Sequence, residues 1–110
     1  MDLAAEVYRL SADWPREEAF GLTSQVRRAV ASIPANIAEG YGRQSTASYL
    51  QFLKIARGSL KETETHLLLA ERVGMANPTA TEAALNSADE LGKMLNALIA
   101  SVGRSKQQPH

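Results

Sequence analysis

The residues that could carry out chemistry in this chain of 110 residues are few and poorly placed. The chain has no cysteine, which excludes a disulfide framework, a thiolate metal site and a cysteine nucleophile. Glu62 and His66 lie one helical turn apart and could supply two metal ligands. A metal centre needs further ligands, and the only other histidine is the final residue, His110. We interpret the pair as solvent-facing and predict no metal and no cofactor.

Two further patterns come close to catalytic or phosphate-binding motifs without meeting their requirements. Some helical ribonucleases use an arginine and a histidine a few residues apart on one helix. Arg104 and His110 have a similar separation, but Pro109 prevents that helical geometry. The segment from Gly40 to Arg43 reads Gly-Tyr-Gly-Arg, and it lacks both the Lys-Ser/Thr pair and the preceding strand of a phosphate-binding loop. The sequence therefore predicts a protein that is not an enzyme.

The formal net charge is zero, but the charges are unevenly distributed along the chain. Residues 21–61 contain six Lys and Arg residues and one acidic residue, a net charge of +5, whereas residues 1–20 carry −3 and residues 62–100 carry −4. A basic segment of this kind can bind a phosphate backbone. The alternative is ion pairing with the acidic segments, within one chain or between subunits. The candidate nucleic-acid-binding residues are Arg27, Arg43, Lys54 and Lys61, joined by Arg28 or Arg57.

Apolar residues recur at spacings of three and four along four segments, which predicts four amphipathic helices. The first helix is short and ends before Pro15, and the second runs from about residue 22 to residue 39. Pro34 lies inside the second helix, whose apolar seam keeps its phase, so we predict a kink there and Gly40 as the residue after the helix. Ser45 or Thr46 begins the third helix, which Gly74 closes. The fourth begins at residues 77–79 and ends near Val102.

Four such helices with short loops predict an all-α, antiparallel up-down-up-down bundle over residues 1–103, followed by a frayed tail, residues 104–110. The short first helix is expected to leave apolar surface uncovered on its long neighbours, and a partner subunit would cover it. No run of residues is apolar enough to cross a membrane, and the N-terminus does not read as a signal peptide. We therefore predict a cytoplasmic protein with no membrane partner.

Two stretches, Phe20 to Arg43 and Phe52 to Glu62, are distinctive. They read FGLTSQVRRAVASIPANIAEGYGR and FLKIARGSLKE, and they closely resemble the four-helix bundle family encoded in intervening sequences of bacterial large-subunit ribosomal RNA genes. The resemblance extends from Leu3 to about Val102. It implies a homopentameric ring, although family members usually have a longer first helix. The chain is more distantly similar to the accessory variability determinant of diversity-generating retroelements, which implies a protein partner such as a reverse transcriptase.

Within these stretches, several polar, glycine and proline positions are predicted to have structural roles. We expect Gly58 to allow close approach of the second helix, and Glu39 to form a hydrogen-bonded network with Arg28 or Arg57. A ligand-binding role for the same groups is the alternative. The full set of motif residues is Gln25, Arg28, Pro34, Asn36, Glu39, Gly40, Arg57, Gly58 and Ser59.

Two functions fit the sequence. The first is a non-enzymatic homo-oligomeric bundle that presents a basic face to RNA or DNA. The second is a protein–protein adaptor with no nucleic-acid binding, which uses the exposed apolar flank of its helices. Because the activity of the family it resembles is not established, the resemblance implies the fold more strongly than the role.

Overall fold

The computed structural model describes residues 2–107, with side chains described from residue 3 to residue 104. Within these residues the chain is all α and forms the four predicted helices, with one 3-10 turn between the first two. The bounds are α1 (Asp2–Ser11), the 3-10 turn (Arg16–Glu18), α2 (Leu22–Tyr41), α3 (Thr46–Arg72) and α4 (Pro78–Gln107).

Each helix packs against its neighbours in the chain, and α1 also packs against α4. This arrangement places α1 diagonally from α3 and α2 diagonally from α4. The bundle is elongated, with extents of 54 × 23 × 18 Å, as expected for helices that run along one common axis. The predicted up-down-up-down bundle is confirmed.

The core is formed by the predicted seams. The side chains with no or almost no exposure recur at spacings of three and four in α2, α3 and α4, so that each helix buries one stripe. The largest fully buried side chains are Val7, Val26, Val30, Ile33, Leu53, Leu60, Thr63, Leu67 and Thr81.

Local signals set the helix ends. Ser45 caps α3, because its Oγ accepts a hydrogen bond of 3.2 Å from the backbone N–H of Ser48. Asn77 caps α4 in the same way through Ala80, at 3.0 Å. Gly74 has a φ of 78° after the end of α3, a conformation that glycine adopts without strain. These contacts agree with the capping and closing residues read from the sequence.

The end of α2 differs from the prediction. The helix is continuous across Pro34 and extends to Tyr41, with Gly42 rather than Gly40 at its C-cap. Gly40 lies inside the helix and faces α3. A Cβ atom at this position would lie 2.6 Å from the Cβ of Phe52. The prediction that Gly58 provides the close contact was wrong, since a Cβ there would meet nothing within 4 Å. Gly40 is the position of close approach between α2 and α3.

The predicted network around Glu39 was also wrong. Glu39 pairs with Arg43, at 2.6 Å, and Arg57 turns toward α4 instead. The polar contact between α2 and α3 is a hydrogen bond of 2.9 Å between the hydroxyls of Ser32 and Ser59. Asn36 supports it by donating to both the carbonyl oxygen and the hydroxyl of Ser32, each at 2.8 Å. Of the motif residues, Ser59 therefore joins the two helices directly, and Asn36 contacts its partner Ser32 from within α2.

The helix α4 extends to Gln107, past the predicted boundary at residue 103. The boundary was misplaced because Gly103 was taken as the end of the helix, whereas here it lies inside it. The rest of the predicted tail, residues 108–110, lies outside the described residues.

The short α1 leaves part of the bundle uncovered, as predicted. Val30 and Ala88, which lie on the flanking helices at the level of α1, are fully buried. Beyond the start of α1, Ile37 is only partly buried on the same seam of α2, and Tyr41 and Met94 are 78% and 68% exposed. We call this gap between the second half of α2 and the second half of α4 the open groove.

Candidate nucleic-acid interface

Three basic residues form a stripe along one edge of α3. Lys54, Arg57 and Lys61 are spaced by three and four residues, so their side chains emerge from the same side of the helix. Lys54 is exposed, and the side chain of Lys61 is 76% exposed. We call these three residues the basic stripe.

The neighbouring helix α4 holds the middle of the basic stripe in place. Arg57 Nη1 donates a hydrogen bond of 3.1 Å to Oδ1 of Asn96, which fixes the guanidinium at the boundary between α3 and α4. Lys93 lies one turn before Asn96 and pairs with Asp89 at 3.3 Å. This hydrogen bond therefore directs Arg57 toward α4.

Two carboxylates adjoin this edge. Lys61 Nζ lies 3.4 Å from Oε1 of Glu64, a pair with an exposed lysine that lowers the local charge only partly. Asp89 is the second, beside Lys93. The electrostatic field of the edge is therefore most positive around Lys54 and Arg57, where no acidic side chain is paired with either residue within the described part of the chain.

Arg43 lies at the end of the molecule where α2 connects to α3. Its guanidinium is paired with Glu39 at 2.6 Å and lies over the ring of Phe52, with Cζ 5.0 Å from the centroid. About half of each side chain of the ion pair is exposed. Arg43 remains accessible to a ligand, but its charge is shared with a carboxylate.

Arg27 lies apart from the other candidates. Its Nε donates to Oγ of Ser11 at 2.8 Å, its Nη2 donates to the carbonyl oxygen of Tyr8 at 3.2 Å, and its Cζ lies 4.8 Å from the centre of the Tyr8 ring. These contacts attach α1 to α2. Because α1 lies diagonally from α3, the structure does not bring Arg27 together with Lys54 and Lys61.

The remaining chemically active residues meet in a cleft between α2 and α3. Gln25 and Arg28 line it from α2, and Glu62 and His66 line it from α3, with Ser24 and Phe20 completing the wall. Glu62 is exposed and His66 is partly buried, so the predicted solvent-facing pair lines a cleft that is open to solvent. No group of three or more potential metal ligands exists among the residues the structure describes.

Sequence reasoning missed two structural features near the candidate site residues. The contact between Arg57 and Asn96 joins positions far apart in sequence, and no pattern in the sequence sets the register of α3 against α4. The second is the exposed ring of Phe20, which the sequence did indicate, because Phe20 precedes Gly21 and belongs to none of the apolar seams.

None of the described helices has an apolar stretch that could span a bilayer.

Comparisons with known proteins agree with this fold. The chain is similar to a solved structure of a protein with unknown function from the S23 ribosomal protein family of Bacteroides thetaiotaomicron VPI-5482. The two share 29% sequence identity with a TM-score of 0.79, and the match covers 89% of this chain and 92% of that one. No curated protein matches the chain. The family model described as 23S rRNA-intervening sequence protein matches residues 1–97, and the chain belongs to that family.

Proposed function

We propose that this protein is a non-enzymatic cytoplasmic scaffold that binds RNA through the basic stripe on α3. The observation that supports the proposal is the alignment of Lys54, Arg57 and Lys61 on one edge, with Arg57 oriented by Asn96. Three cations in a row match the repeating charge of a phosphate backbone, and they can act together along one strand. Arg43 and Lys93 extend the same charge at the margins.

The test is the salt dependence of binding to a single-stranded RNA. The three phosphate contacts of the basic stripe alone predict a contribution of about −2 to the slope of log affinity against log salt, since each contact on a single strand contributes roughly −0.7. Reversing Lys54 and Lys61 together to glutamate should abolish retention at moderate salt. A matched control reverses Arg9 and Arg72, which are exposed residues on α1 and in the last turn of α3.

The control variant changes the net charge by the same amount, so it separates a located site from a general effect of charge. Binding by the Arg9 and Arg72 variant should remain within about twofold of the wild type, because neither residue belongs to the stripe. Unchanged retention after reversal of Lys54 and Lys61 would rule out the basic stripe. Equal losses of RNA affinity in the two variants would show that the RNA is attracted by the overall charge of the protein and not by a defined surface.

A second candidate function, self-association or adaptor binding, is supported by the open groove. We propose that another copy of the chain covers Tyr41 and Met94, in the ring of five subunits that the resemblance implies. Both residues are large, apolar and mostly exposed. Light scattering should then give a mass well above 11.9 kDa.

Charged substitutions test the groove. Replacing both Tyr41 and Met94 with glutamate should return the protein to the monomer mass, because two carboxylates would be buried at the interface. The control is Ile55→Glu, an exposed apolar residue on α3, outside the groove. A wild-type monomer at high concentration would exclude the ring. A protein partner other than the chain itself would appear as assembly only in its presence.

A further inference from the structure

The cleft between α2 and α3 is an open depression in the surface, lined by several polar side chains. It has a volume of about 350 Å³, within the range of small-ligand sites. Its wall is mostly polar, and it opens directly to solvent. The lining residues are Phe20, Ser24, Gln25, Arg28, Glu62 and His66.

Phe20 is the most informative residue of this cleft. Its side chain is 99% exposed, more than any other large apolar residue in the described part of the chain. A phenylalanine ring in water contributes nothing to the core, so its position at the rim is not explained by packing. A flat ring beside a polar cleft is the arrangement on which an unpaired base stacks.

The polar groups of the cleft are available to a ligand. Within residues 3–104, the side chains of Arg28, Glu62 and His66 take part in none of the hydrogen bonds or ion pairs of the structure. Arg28 can donate to a phosphate oxygen, and the carboxylate of Glu62 can accept two N–H donors at once. Gln25 can donate and accept at the edge of a base.

The cleft and the basic stripe lie on two sides of α3: Arg57 of the stripe contacts α4, whereas the cleft opens between α3 and α2. Glu62 directly follows Lys61 in the sequence. The helix α3 therefore carries both the last basic residue of the stripe and a carboxylate that lines the cleft. A single strand whose phosphates contact Lys54, Arg57 and Lys61 can therefore turn a base across α3 toward Phe20.

We infer that this cleft holds one unpaired guanine of a bound RNA strand, an inference that rests on the RNA-binding function proposed above. The base stacks on Phe20, Arg28 binds an adjoining phosphate, and Glu62 accepts hydrogen bonds from the two adjacent N–H donors on the pairing edge of guanine. Adenine and the pyrimidines do not offer that pair of donors to a carboxylate, so the cleft discriminates in favour of guanine.

The experiment compares two strands, an oligoadenylate with one central guanosine and the same strand with adenosine there. The wild type should bind the guanosine strand more tightly. Phe20→Ala should weaken binding by about tenfold without changing the salt slope, because stacking releases no counterions. Arg28→Gln should weaken binding and reduce the slope by roughly 0.7, the contribution of one phosphate. Glu62→Gln should remove the preference for guanosine while retaining binding to both strands.

Val73→Ala is the matched control, because Val73 is an exposed apolar residue just after α3, outside the cleft, the basic stripe and the open groove. It should bind both strands like the wild type. If Phe20→Ala and Arg28→Gln also bind like the wild type, the cleft is not a base site, while the proposed RNA binding stands. If these variants lose affinity and reversal of Lys54 and Lys61 does not, the cleft stands and the basic stripe fails. A wild-type protein that binds neither strand overturns both proposals.

Discussion

Replacing Gly40 with alanine tests the closest approach between two helices of this bundle. The added Cβ would lie 2.6 Å from the Cβ of Phe52 and 3.1 Å from Cδ1 of Tyr49. Normal contact between carbon atoms requires about 3.5–4.0 Å. The Cβ of Phe52 is fixed to the backbone and cannot rotate away, so α2 and α3 must separate by about 1 Å at this point.

The expected change in the free energy of unfolding combines two opposing effects. Overpacking a tight contact costs about 1–3 kcal/mol, and alanine gains about 1 kcal/mol over glycine in a helix. Gly40→Ala should therefore destabilise the protein by up to about 2 kcal/mol. The control is Gly58→Ala, where open space leaves only the helix gain, a stabilisation of up to about 1 kcal/mol.

Urea denaturation followed by far-UV circular dichroism measures the free energy of unfolding of both variants. The variants should be compared at the same protein concentration, because self-association would add to the apparent stability. For 110 residues, 1 kcal/mol corresponds to a shift in Tm of about 4 °C. In thermal unfolding, the two variants should then differ in Tm by roughly 4–12 °C. Equal stability of the two, or a stabilised Gly40→Ala, would refute the assignment of Gly40 as the contact position.

Three other substitutions test contacts that hold the helices. Arg27→Ala should destabilise the protein by about 2 kcal/mol and increase amide exchange in α1, because it removes two hydrogen bonds and a cation–π contact. The control Arg28→Ala should leave the stability and the amide exchange of α1 unchanged. Ser32→Ala should cost about 1–2 kcal/mol in urea denaturation, since it removes an interhelical hydrogen bond and an acceptor of Asn36; unchanged stability would show the bond to be dispensable. Asn77→Ala should cost about 1 kcal/mol by the same assay, and Asn77→Asp should restore most of it.

The architecture could be predicted from the sequence because helical periodicity is local. The spacing of apolar residues alone identified the seams of α2, α3 and α4, which the core confirms. The glycine that makes the close contact between α2 and α3 was predicted wrongly, although the sequence contained the information needed. Gly40 continues the stripe of Ile33 and Ile37 at spacings of four and three, whereas Gly58 lies off the seam of α3.

The candidate site was less predictable because it depends on the register between helices. The sequence identified Lys54 and Lys61 as basic, but the orientation of Arg57 by Asn96 depends on how α3 lies against α4. The same limitation applied to Arg27, which reads as a cation for a ligand and instead binds α1. The sequence shows which residues are charged, but helix packing decides which of these charges are used in contacts within the chain and which remain accessible to a ligand.

The buried Trp14, in the connection that follows α1, gives the protein an internal optical reporter. It is the single tryptophan of the chain, and it is only 7% exposed, next to the helix with the fewest turns. Its fluorescence therefore reads the docking of α1, whereas circular dichroism is dominated by the three long helices. Coincident unfolding curves would mean that α1 and the long helices melt as one cooperative unit. Separate curves would identify α1 as a segment that opens first and extends the open groove along the bundle.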